Sequence, residues 1–275
     1  MNSNRPVLVT TDGSAHSHRV LPHAALLATA LGTRVALLQV IEEDDPARLE
    51  TELHGTLSRL GIDGDVLVRT AHEDEDVAPA ILRIATETDA VVLALDSRGH
   101  GALRHVLHGS VTLDLLKDAG LLLLVSGPNL DPPPARAEPY RIVVTNDGSP
   151  AAEAVLHALS PLLAPGRFEV TLLRIHEHEP GGEDNAAALA ACERELARAR
   201  ELLPASLPVT TLVRDIPLMA GVDTAIIEEA QELNAHAIAM STQGVSASRH
   251  VIIGSMATTM LGRSPLPLLL ARADV

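Results

Sequence analysis

The sequence predicts an α/β protein made of two tandem domains, each a doubly wound, parallel five-stranded sheet in a three-layer α/β/α sandwich. Three observations lead there. The chain repeats itself once, strand-like apolar runs alternate with amphipathic helical stretches, and a proline-rich break separates the repeats.

The opening run VLVTTDGSA (Val7 to Ala15) returns as IVVTNDGSP (Ile142 to Pro150). The block DSRGHGALRHVLHGSV (Asp96 to Val111) matches STQGVSASRHVIIGSM (Ser241 to Met256) without a gap. The first pair is offset by 135 residues and the second by 145, so the second copy carries about ten extra residues between them. The stretch from Pro180 to Leu203 is the natural place for these. A period this long excludes a solenoid and marks a duplicated domain. Between the copies lies GPNLDPPPARAEP, residues 127–139, whose prolines bar regular helix and central strand. It reads as a semi-rigid linker, with domains expected over 1–127 and 139–275 and the linker over 128–138.

In the first copy, strands are expected at 6–11, 34–40, 65–70, 90–95 and 121–125, and helices at 16–31, 44–60, 75–87 and 110–117. In the second, strands are expected at 141–146, 168–174, 208–213, 236–240 and 266–270. Continuous apolar runs such as VVLAL and LLLLV suit parallel strands covered on both faces. In such sheets, ligands bind outside the carboxyl ends of the strands, where strand order reverses.

Composition narrows the function. With 275 residues, 46% of them hydrophobic, the chain has enough apolar content for a sizeable core. A formal net charge of −15 argues against sequence-independent binding to DNA or RNA, which needs basic surface to displace counterions. Cys192 is the only cysteine, which rules out an intramolecular disulfide or a cysteine-rich metal site and fits a reducing compartment. The start, MNSNRPVLVTTDGS, lacks the pattern of a signal peptide. No apolar run approaches the roughly 18 to 20 residues that span a bilayer, so a soluble, cytoplasmic protein is expected. Phe168 and Tyr140 are the only aromatic residues. A bound base would therefore be held by aliphatic walls and backbone hydrogen bonds.

The most informative motif is G-x9-G-S, present as Gly99…Gly109-Ser110 and again as Gly244…Gly254-Ser255. Each follows a predicted strand at the ligand-binding edge and ends where a helix begins. Glycines let backbone approach an anion, and free amides at a helix start supply donors with a favourable dipole. The same residues also read as a turn and an N-cap. Recurrence at identical spacing favours the site.

With these residues in view, the chain resembles the universal stress protein family over nearly its whole length outside the linker. ATP-binding members carry G-x2-G-x9-G-[ST] after the fourth strand and an Asp at the end of the first. The resemblance implies an adenine-nucleotide-α-hydrolase-like fold and a site for ATP with Mg²⁺. By position it places Thr10, Thr11 and Asp12 beside adenine and ribose, with Val40 offering its backbone to the base. Leu95 and Asp96 close the fourth strand, and Gly99, Gly109, Ser110 and Val111 cradle the phosphates. In the second copy it picks Thr145, Asn146, Asp147, Ile175, Met240, Ser241, Gly244, Gly254, Ser255 and Met256.

Both copies depart from the motif at its first glycine, which is Asp96 in one and Ser241 in the other. Asp96 places a carboxylate near ribose or phosphates, where like charge disfavours ATP unless Mg²⁺ or Arg98 intervenes. The second copy is thus the better expected site. Asp12 and Asp147 also have a plain reading as turn residues, with Ser14 and Ser149 capping the next helix. Arg104-His105 and Arg249-His250 recur inside the glycine loops, where they reach the terminal phosphate, bind across the domain interface or form surface charge. The run His176-Glu177-His178-Glu179 is expected to be a solvated loop in preference to a metal site. His16 and His18 do not share a helical face, and Cys192 is expected to pack.

The only lysine is Lys117, so there is no P-loop, and neither a dinucleotide fingerprint nor a hydrolase elbow is present. The expected function is regulatory ATP binding in the stress response, with at most slow hydrolysis. The alternative is a nucleotide-independent scaffold or chaperone-like protein of the same fold. An ATP-pyrophosphatase-type ligase is a weaker option, because those enzymes carry an S-G-G-x-[DS]-[ST] loop after the first strand and TTDGS is not that loop. The resemblance further implies that the two domains pair as a pseudo-dimer through their last strands, LLLLV and PLPLLLA, which would protect exposed sheet edges and leave room for a homodimer.

Overall fold

Strands that are apolar on both faces must be sandwiched between helices, and the chain supplies those helices in alternation. A computed structural model describes residues 5–42, 45–97, 110–134, 138–179, 185–243 and 253–272. The first copy runs β1 (Val7–Thr10), α1 (Leu21–Leu31), β2 (Val35–Ile41), α2 (Pro46–Leu60), β3 (Gly64–Thr70), α3 (Val77–Glu87), β4 (Val92–Asp96), α4 (Ser110–Asp118) and β5 (Leu122–Ser126). The second repeats it as β6 (Tyr140–Thr145), α5 (Glu153–Leu159), β7 (Phe168–His178), α6 (Asn185–Glu201), β8 (Val209–Pro217), α7 (Val222–Glu232), β9 (Ala237–Ser241), α8 (Ser255–Arg263) and β10 (Leu268–Ala271). Local chemistry sets the ends. Asp45 caps α2 through Ala47 N with Pro46 at its first position, and left-handed Gly32 and Gly61 stop α1 and α2.

Each half is a parallel five-stranded doubly wound sheet, but the two halves are not separate. They form one ten-stranded sheet in the order β3-β2-β1-β4-β5-β10-β9-β6-β7-β8. The seam is the single antiparallel pair, β10 with β5, in register Leu268↔Val125, Leu269↔Leu124 and Leu270↔Leu123. Two leucine-rich edges that would otherwise expose unpaired backbone thereby cover each other. All residues of both strands are buried.

Alternation along the strands builds two cores, one on each face, and both cross the seam. One gathers Val7, Leu37, Leu124, Val144 and Leu269 under α1, α2, α5 and α6. The other gathers Leu8, Leu38, Leu123, Val143 and Leu270 under α3, α4, α7 and α8. Among the described residues, no helix is long and apolar enough to cross a membrane.

Strand register aligns the copies. Val7 pairs Val35 as Ile142 pairs Val170, while Val35 pairs Gly64 and Val170 pairs Val209. The ten-residue excess therefore falls between β7 and β8, in the longer strands, the intervening loop and α6.

The linker is fastened to both copies. Arg19 of the first copy donates to the carbonyls of Pro128 and Leu130, and His23 Nε2 donates to Asp131 O at 2.9 Å. From the second copy, Gly262 O accepts from Asn129 Nδ2 at 2.8 Å and Pro265 O accepts from Asp131 N at 2.9 Å. A Cβ at Gly127 would overlap the Leu261 carbonyl oxygen, so only glycine admits this approach. Burial pushes the His23 imidazole down to about 4, with smaller repulsion from His236 and Arg19, against the opposing bond to Asp131.

Candidate functional site

Strand order reverses between β1 and β4 and again between β6 and β9, so each copy has a crevice at the carboxyl ends of those strands. In the second copy this crevice is a cleft of about 280 Å³. It is lined by Thr145, Asn146, Asp147, Ile175, Met240, Ser241, Gly254, Ser255 and Met256. Of the residues expected there from the sequence, Gly244 alone lies outside the described residues.

The turn after β6 is built by its own side chains. Asn146 N bonds Leu173 O on the neighbouring strand, and Asn146 Oδ1 accepts from Gly148 N at 2.8 Å. Asp147 Oδ1 accepts from Ser149 N at 3.0 Å and from its hydroxyl at 2.6 Å, while Ser149 Oγ accepts from Ala152 N. The turn reading of Asp147 and the capping reading of Ser149 therefore both hold, and Gly148 at φ 78° closes the bend. The turn engages one carboxylate oxygen of Asp147 and sets the side chain at the cleft.

Opposite, Gly254 precedes α8 and donates to Thr242 O at 2.6 Å. The first bond of that helix runs from Thr258 N to Gly254 O, so the amides of Ser255, Met256 and Ala257 come before it. Such amides suit an anion. Leu173, Ile175, Val222, Ile226 and Met240 supply the aliphatic walls that a chain almost without aromatics requires. Thr242 is 1% exposed, lines the cleft, and its hydroxyl has no partner among the described residues.

Sequence reasoning missed Thr242, Gln243, Arg174, Val222 and Ile226 as lining residues. Arg174 was readable from its place beside Ile175 on β7. Its guanidinium lies 3.7 Å from the Glu195 carboxylate and 3.5 Å from Asn146 O. Val222 and Ile226 carry only the ordinary spacing of a core helix.

In the first copy, Thr10, Thr11, Asp12, Leu95 and Asp96 sit at the corresponding strand ends, with Val40 near the end of β2. Thr11 N bonds Leu38 O, as Asn146 N bonds Leu173 O. Thr11 Oγ1 meets Ser17 Oγ at 2.7 Å, and Asp12 Oδ1 accepts from Ser14 N at 2.9 Å. Asp96 is 6% exposed and accepts from the buried Ser126 hydroxyl at 2.7 Å, across its own register pair. The equivalent pair in the second copy is Ser241 with Ala271. Ser110 and Val111 open α4. Gly99, Gly109, Arg98, Arg104, His105, Arg249 and His250 lie outside the described residues.

One expectation is corrected. His176 and His178 are not in a loop, because β7 runs on to His178 against a β8 that reaches Pro217. Alternation puts both imidazoles on one face. There His178 Nδ1 donates to Asp215 at 2.9 Å, His176 Nε2 donates to Asn185 Oδ1 at 2.9 Å, and Asn185 donates on to Asp215 at 2.6 Å. The His178 bond holds the Asp215 carboxyl below its usual range. Among the described residues, no group of three His, Cys, Asp or Glu side chains is placed to hold a metal. Cys192 is buried in α6.

The profile of the Universal stress protein family matches residues 3–125 and 140–272, once per copy. A universal stress protein from Archaeoglobus fulgidus has a similar solved structure, with a TM-score of 0.62, 19% identity and full coverage of both chains. A protein from Pseudomonas aeruginosa described as a putative universal stress protein gives 0.59 at 17% identity, covering 98% of this chain and 94% of its own. A functionally unknown protein from the same species gives 0.57 at 16% identity, covering 98% and 93%. No curated protein matches the sequence significantly. With both halves matched by one family and the whole chain sharing its fold, this protein belongs to the universal stress protein family as a tandem, two-domain member.

Proposed function

We propose that the protein is a regulatory nucleotide-binding protein of the stress response, taking ATP with Mg²⁺ in the cleft of its second copy. The observation that carries this reading is the cleft's make-up. Aliphatic walls for a base, the Asn146–Asp147 turn for a ribose, and the Gly254–Ser255 helix start for phosphates surround one space of about 280 Å³. The Thr242 hydroxyl, without a partner among the described residues, adds a buried group that a polar ligand would satisfy. The sequence has no P-loop lysine and no general base is placed beside these groups among the described residues, which supports binding with at most slow hydrolysis. The protein acts in the cytoplasm, and its chains associate further as a homodimer.

For the first copy, a nucleotide-independent scaffold role competes on one observation. Asp96 puts a buried carboxylate where the second copy has Ser241. The test is to identify nucleotide released from denatured protein, then titrate MgATP into stripped protein alongside Gly254→Ala and Thr242→Val. ATP carried through purification, with affinity falling in both variants, is expected. An intact, stripped protein that takes up no ATP at about millimolar concentration leaves the scaffold role for both copies.

A further inference from the structure

Hydroperoxides attack protein sulfur that solvent can reach, and this fold hides most of its sulfur. Cys192, Met240 and Met260 are buried, and Met1 lies outside the described residues. Among the described residues, Met219 at 89% exposure and Met256 at 37% are the methionines open to solvent. Their positions differ. Met219 follows β8 and does not line the cleft of the second copy. Met256 is the second residue of α8, lines that cleft, and contributes one of the three amides that precede the first bond of the helix. Gapless alignment of the copies puts Val111 at the same place in the first half, where it packs half-buried against its core. An oxidisable, solvent-open side chain thus stands at the anion-binding end of one cleft, and its counterpart is inert.

We propose that Met256 is a reversible oxidation site that regulates nucleotide binding in the second cleft, an inference that rests on ATP being the ligand there. Hydrogen peroxide delivers one oxygen to the thioether. The S–O bond forms as the O–O bond breaks, the sulfur gives up two electrons, and the remaining peroxide oxygen leaves as water. The product is a sulfoxide, polar where the thioether was apolar, with an oxygen that carries partial negative charge. Beside the amides of Ser255, Met256 and Ala257, that oxygen competes for the donors that would hold phosphate and repels the phosphate itself. Linkage requires the reverse effect as well, so a bound nucleotide shields the thioether from peroxide. A methionine sulfoxide reductase restores the starting state. Met219, more exposed and away from the cleft, is the internal control.

The test treats stripped, full-length protein with hydrogen peroxide, maps sulfoxides by peptide mass spectrometry, and titrates MgATP calorimetrically before and after. Oxidation of both Met219 and Met256 is expected, with MgATP affinity about tenfold lower and recovered by the reductase. Saturating MgATP should protect Met256 and leave Met219 unprotected. Met219→Leu should keep the peroxide response. Met256→Leu, whatever its own starting affinity, should give the same value before and after treatment, with circular dichroism confirming that it is folded. The proposal is overturned if Met256 stays reduced while Met219 is converted. It is overturned equally if affinity is unmoved by complete oxidation of Met256, or if Met256→Leu loses as much affinity to peroxide as the parent. An affinity unmoved by oxidation leaves ATP binding standing, whereas absence of MgATP binding before peroxide overturns both.

Discussion

The two copies share strand order, turn geometry and helix placement, and differ at the end of one strand pair. In the first copy that pair is Asp96 with Ser126, a buried carboxylate held by a buried hydroxyl. In the second it is Ser241 with Ala271. A duplicated fold thus keeps its scaffold while a single register pair resets the charge of one crevice. The junctions on either side of the β5–β10 seam differ in the same manner. Tyr140, Phe168, His236, His23 and Arg19 close one, and Arg5, Thr33, Val91, Ala158 and Ala154 leave the other open.

Breaking the closed junction should have the largest effect. Gly127→Ala drives a methyl into the Leu261 carbonyl and should cost about 3 kcal/mol in denaturant unfolding, whereas Arg272→Ala at the equivalent position should be near neutral. Acid should distinguish the junctions next. His23 stays neutral in the fold down to about 4, while the unfolded chain takes the proton near 6.5. Stability present above pH 6.5 is therefore lost as pH falls towards 4, by at most about 3 kcal/mol, and His23→Gln should flatten that acid limb. A smaller effect should follow from giving the second cleft the first one's charge. Ser241→Asp should weaken MgATP binding about tenfold in calorimetry, and adding Ala271→Ser should recover part of the loss. Least of all, Tyr140→Phe removes a hydroxyl that finds no partner among the described residues, so its melting temperature should hold or rise, with a gain within about 1 kcal/mol.

Much of this was legible in the sequence. Strands such as VLALD and LLLVS declare themselves, since a short apolar run bounded by turn residues suits a strand covered on both faces. The second cleft was legible because its residues recur at the spacing of the first. The far end of β7 was not. His176, Glu177 and His178 carry loop-like polarity, and their strand form comes from pairing with Asp215, Ile216 and Pro217, a tertiary effect that local propensity does not contain. Thr242 was missed for a related reason, since only burial separates its hydroxyl from any surface threonine. The linker read as a spacer, yet its backbone is fixed by Arg19 and His23, more than a hundred residues away in sequence.

Because β5 and β10 run in opposite directions, the carboxyl ends of the two half-sheets point to opposite rims of the molecule. The two crevices therefore stand back to back, too far round the sheet for one small ligand to touch both. The two halves are joined along the leucine seam, where Leu123, Leu124 and Val125 meet Leu268, Leu269 and Leu270, and by the linker bonds beside it. That seam places the two crevices a half-turn apart within one continuous sheet.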